Sequence, residues 1–89
     1  WTIVNPDGAL DGDLALGLKC AQQAIELEPE NAYYHDTLAW ALVANGRYEE
    51  ALLESDKSLE LAADKDKETF RGYRDRVRAA VSKRKSERR

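Results

Sequence analysis

Asp36-Thr37-Leu38-Ala39-Trp40-Ala41-Leu42-Val43-Ala44-Asn45-Gly46-Arg47-Tyr48-Glu49-Glu50-Ala51-Leu52 reads as the joint of two helices. Tyr34, Leu38, Ala41 and Leu42 fall on one side of the first at helical spacing, and Tyr48, Leu52, Ser55 and Leu59 do so in the second. Asn45-Gly46 separates them, with Gly46 suited to the left-handed position that follows a helix end. A turn this short makes the two helices antiparallel. Such helices cross closely only where neither carries bulk, so Ala39 and Ala51 are the expected contact.

Working outward, Glu28-Pro29-Glu30-Asn31 ends an earlier helical pattern, because Pro29 cannot continue it and Asn31 is a good N-cap. That earlier pattern holds Leu14, Leu18, Ala21 and Ile25, with Asp11 and Asp13 placing negative charge at its start. A fourth helix runs from about Asp66, with Phe70, Tyr73, Val77 and Ala80 on one stripe. Ser82 to Arg89 has no apolar side to bury and is expected to fray. Before residue 11, Asn5-Pro6-Asp7-Gly8 is a strong turn. The fold class is therefore all-α, with about four antiparallel helices in helix–turn–helix pairs.

At an offset of 34 residues the first helix repeats in the third: Gly12 meets Gly46, Leu18 meets Leu52, Glu26 meets Glu60 and Leu27 meets Leu61. Gly17 falls on Ala51, Ala21 on Ser55, Ala24 on Ser58 and Ile25 on Leu59, small against small and large against large. A helix–turn–helix unit with this period resembles the tetratricopeptide repeat, on residues 36–52 above all. His35, Leu38, Ala39 and Leu42 stand where that family has its first-helix pattern, and Ala51 supplies its small second-helix residue. The family's aromatic four residues later is Ser55 here, and its closing Pro is Ala63, although Pro29 stands there in the preceding half-repeat. The resemblance implies an irregular lead-in over residues 1–10, with Trp1, Ile3 and Val4 the remnant of an upstream helix covering the Leu14–Ile25 side, and a repeat domain over 11–89. Within that domain it implies a half repeat at 11–30, a full repeat at 31–63 and a capping helix at 66–85, Phe70 falling on His35 at an offset of 35. About two units are fewer than the three that such arrays usually need, so self-association at the open N-terminal end is expected.

Length agrees with one small core, since 89 residues leave no room for a second domain or a two-domain enzyme. The composition, 43% hydrophobic and 35% charged, suits a folded, helix-rich soluble protein. Lone Cys20 allows no internal disulfide, and the cytoplasm is the favoured compartment. The formal net charge of −3 hides a division. Residues 1–64 carry 3 Lys or Arg against 13 acids, whereas residues 65–89 carry 11 against 4. A basic tail for nucleic acid or an anionic membrane would look like this, as would two parts that attract one another.

Material for catalysis is thin. His35 holds a packing position, Cys20 sits mid-helix as inert packing without a cationic neighbour, and no metal-ligand spacing or phosphate loop is present. No enzyme activity, cofactor or metal is expected. The resemblance implies instead a concave face, built from first helices, that holds a protein or peptide partner. Tyr33, Asp36, Thr37, Trp40, Val43 and Ala44 are expected on it, with Glu68, Arg71, Gly72, Asp75 and Arg78 beside them on the capping helix. Arg71 and Arg78 would then grip an acidic ligand, and Gly72 would leave space opposite Thr37. Asp36, Thr37 and Trp40 occupy the places of the Lys, Asn and Arg clamp that one subgroup uses for C-terminal carboxylates, so chaperone tails are not expected to bind. A second copy of the chain is the other protein partner. The competing readings are a basic helix that binds nucleic acid or an anionic membrane, and a regulatory appendage of an upstream enzyme. Against the basic-helix reading, its arginines point at several angles and the acidic part would repel a polyanion.

Overall fold

The computed structural model describes residues 11–87, with side chains from Leu14 onward. The lead-in over residues 1–10, with its turn and the cover by Trp1, Ile3 and Val4, lies outside them, as do the side chains of Asp11 and Asp13. Four helices follow one another: α1 (Asp11–Leu27), α2 (Ala32–Ala44), α3 (Tyr48–Leu61) and α4 (Lys67–Glu87). A short 3₁₀ turn, Asp64–Asp66, precedes α4.

Local chemistry sets the joints. Asn31 accepts a hydrogen bond from the Tyr34 amide at 3.2 Å through its Oδ1 and donates from Nδ2 to Glu28 at 3.1 Å. Replacing Asn31 with Ala should cost about 1 kcal/mol, read as a lower urea midpoint with an unchanged slope. Gly46 takes φ +77 after α2, and the Arg47 amide closes back on the Leu42 carbonyl at 2.9 Å. At the end of α3 the Lys67 ammonium donates to the Leu59 and Glu60 carbonyls at 2.8 and 2.9 Å, placing a cation on a helix C-terminus.

Helix α2 packs against all three others and lies at the centre of the core. Leu18 and Ala21 from α1, Leu38, Ala39, Leu42 and Val43 from α2, Ala51 from α3, and Val77 and Val81 from α4 form one cluster. Ala39 and Ala51 are both 0% exposed, as a close helix crossing requires. Ser58 ties the same pair together by donating to the Ala32 carbonyl at 2.7 Å. Ser55, in the aromatic position of the repeat, is buried but satisfied by the Leu52 carbonyl at 2.9 Å.

Opposite charges meet between α3 and α4. Arg78 pairs with Asp56 at 3.2 Å and Lys85 with Glu49 at 3.0 Å. Each is a surface pair worth at most about 1 kcal/mol. The expected fraying after Val81 is corrected over the described residues: α4 stays helical to Glu87, with Lys85 anchored on α3. Cys20 is corrected too, since it is exposed and not packed; it stands on a side of α1 that α2 does not cover.

Candidate partner-binding face

Helical spacing gives α2 two unlike sides. Its inner side buries His35, Leu38, Ala39, Leu42 and Val43. Its outer side carries Tyr33, Thr37, Trp40 and Ala44 at intervals of four, three and four residues. Tyr33 remains 57% exposed and Trp40 40%, Thr37 is open, and Ala44 is half-buried. These four are brought together as one stripe.

Helix α4 fixes one end of the stripe. The Tyr33 ring meets Phe70 edge to face, with centroids 4.8 Å apart, and Phe70 meets Tyr73 in the same way at 5.1 Å. Phe70 is almost wholly buried, so Tyr33 is held by one edge while more than half of its surface stays open. An aromatic side chain braced in this manner loses little freedom on binding, which favours it as an anchor. At the other end of α2, Arg84 lines a shallow depression with Leu14, Ala44, Asn45, Gly46 and Tyr48, placing a cation at that helix's C-terminus.

Three expected members are corrected. Val43 is only 2% exposed and belongs to the core cluster that also holds Val77 and Val81 of α4. Arg78 turns to α3 and pairs with Asp56, and with Leu52, Val81, Ser82 and Lys85 it lines a groove between α3 and α4. Arg71 lies two turns before Arg78 on the same stripe, so it too falls on the α3 side. Gly72 is exposed with no atom near the position of an added Cβ, so it opens onto solvent and not onto Thr37. Sequence reasoning placed Tyr73 in the core stripe and did not see its aromatic link to Tyr33. It missed Arg84 at the site altogether. The Phe70–Tyr73 spacing of three was the available signal for the first.

Asp36 borders the stripe, half-buried, with Oδ1 shielded from water and without a hydrogen-bond partner among the described residues. Burial pushes its carboxyl up from the ordinary aspartate value. A carboxyl raised in the folded state binds its proton more tightly there than in the unfolded chain. It therefore subtracts stability as the pH climbs from the ordinary aspartate range through the raised one. Asp36→Asn should raise the melting temperature at neutral pH. That advantage should shrink as acid protonates Asp36 in the unmodified chain, a trend checked by thermal melts from pH 3 to 7.

Among the described residues no group of three or more His, Cys, Asp or Glu side chains could hold a metal ion, and no helix is long and apolar enough to cross a membrane. Residues 20–53 match the tetratricopeptide repeat family, a span running from within α1 through α2 into α3. Neither the curated proteins nor the solved structures contain a match to the chain.

Proposed function

We propose that a chain carrying a tetratricopeptide repeat over residues 20–53 uses the Tyr33–Thr37–Trp40–Ala44 stripe of α2 to hold a partner protein segment. The repeat family is one of protein-interaction scaffolds and is generally not catalytic. The observation that carries the finer reading is the pair of exposed aromatics on one side of the central helix, one braced by Phe70. Apolar and aromatic side chains from a partner would bury against Tyr33 and Trp40, the kind of contact that concentrates binding energy. Arg71 and Arg78 lie elsewhere, so an acidic ligand gripped by them is not part of the proposal.

The occupant is a peptide segment of another protein or of a second copy. Tyr33→Ala and Trp40→Ala together should lower partner capture at least tenfold relative to the unmodified chain. Leu53→Ala, which alters an exposed leucine on α3, should leave it unchanged. Equal capture by all three proteins would remove the α2 stripe from the account. Nucleic-acid or anionic-membrane binding is the weaker reading. Arg78 and Lys85 are already paired with carboxylates of α3, which reduces the free positive charge a polyanion would meet.

A further inference from the structure

Helix α1 has a second apolar side that the fold leaves uncovered. Among the described residues α1 packs against α2 and no other helix, with Leu18, Ala21 and Ile25 turned to the core. Half a turn away, Leu16, Cys20, Gln23 and Leu27 fall at intervals of four, three and four residues, the spacing of a helix–helix seam. Leu16 is 59% exposed and Leu27 83%, and Cys20 and Gln23 are exposed between them. The repeat pattern does not ask for this side to be apolar: 34 residues on, α3 carries Glu50 and Glu54 where α1 has Leu16 and Cys20. Gly17 adjoins the seam with no atom within 4 Å of an added Cβ, so the single chain gains no packing from a glycine that weakens its helix.

The residues beside the seam say what fits it. Lys19 and Glu26, both exposed, stand on one flank, and Gly17 and Ala24 on the other. A second α1 laid antiparallel about a twofold axis between residues 21 and 22 brings its Leu27 opposite Leu16 and its Gln23 opposite Cys20. In an antiparallel pair of that register the flanks meet their own kind, so Lys19 faces Glu26 of the second copy and Gly17 faces its Ala24. Opposite charges meet on one flank, and small residues allow close approach on the other. Each match occurs twice, as a twofold contact between identical surfaces requires. We propose that α1 pairs antiparallel with α1 of a second copy through the Leu16–Cys20–Gln23–Leu27 seam, with Lys19 and Glu26 fixing the register. This surface lies on a different helix from the α2 stripe and stands whatever binds there. The seam spans about three helical turns, shorter than a stable dimer needs, so the pairing is reversible and shows in the micromolar to millimolar range.

Sedimentation equilibrium of the full chain over that concentration range tests the pairing and should show monomer passing into dimer. Leu16→Gln with Leu27→Gln changes two exposed positions, so the variant should keep its helical circular dichroism and remain monomeric. The charges test the register without touching the apolar seam. Lys19→Glu and Glu26→Lys each bring like charges together twice and should each raise the dissociation constant at least about fivefold. An equimolar mixture of these two variants should recover the association, because opposite charges meet again in the mixed pair. Tyr33→Ala with Trp40→Ala should leave the dimer unchanged, which separates this surface from the α2 stripe. A monomer at every concentration would overturn the proposal, whether α1 is then bare or covered by residues 1–10 or by another protein. So would a dimer that survives the double leucine change, or charge variants whose mixture pairs no better than either alone.

Discussion

Phe70→Ala should remove about 3–5 kcal/mol of stability, the usual cost of deleting a buried aromatic ring together with the cavity it leaves. Phe70 is 2% exposed, and it is the ring against which both Tyr33 and Tyr73 stack. A chain of 89 residues has a total stability of about 4–13 kcal/mol, so the loss is a large fraction of the total and reaches the unfolding midpoint at the low end of that range. Far-ultraviolet circular dichroism through a urea titration would show the loss as a large fall in midpoint. The same change frees Tyr33 from its brace. Phe70→Leu, which keeps most of the volume, should cost less in stability while still disturbing the candidate face.

Filling the α2–α3 crossing should be nearly as damaging. Ala39→Leu or Ala51→Leu pushes a branched side chain into a contact where both residues are 0% exposed, at about 1–3 kcal/mol or more for each. The two positions belong to one core cluster, so their effects in a double variant should depart from additivity. Leu53→Ala, at a 68% exposed position on α3, provides the control and should stay within about 0.5 kcal/mol of the unmodified chain. Indistinguishable urea midpoints for Ala51→Leu and Leu53→Ala would place the helix crossing somewhere else.

Features that depend on short-range spacing were legible in the sequence. Leu38, Leu42, Ala39 and Ala51 report which sides of α2 and α3 turn inward, while Asn31 and Gly46 mark joints through their own side-chain or backbone chemistry. Legibility fails where the rotation of one helix depends on another. The outer arginines of α4 are placed by how Phe70, Val77 and Val81 seat against α2 and α3, and an error of one residue in register turns a helix by about 100°. For that reason Arg71 and Arg78 fall on the α3 side. Val43 has the helical spacing of a residue at the edge of the outer stripe, but the packing of the neighbouring helices takes it into the core cluster. His35 shows the limit differently. Its packing position can be read from the repeat, whereas its polar partners lie 19 residues ahead on α3 and 6 residues back in a turn.

Charge followed the same pattern. The division between an acidic 1–64 and a basic 65–89 is visible at once, and its meaning needs the contacts. Asp56–Arg78 and Glu49–Lys85 show that part of it joins α4 to α3.

Site-specific photo-crosslinking is the most direct test of the proposed partner face. A benzoylphenylalanine residue would be placed at position 40 on α2 or at position 53 on α3, in an otherwise unmodified chain mixed with a captured partner. The account predicts a crosslinked adduct from position 40, lost on competition with unlabelled chain, and little or none from position 53. An adduct from position 53 alone would contradict it.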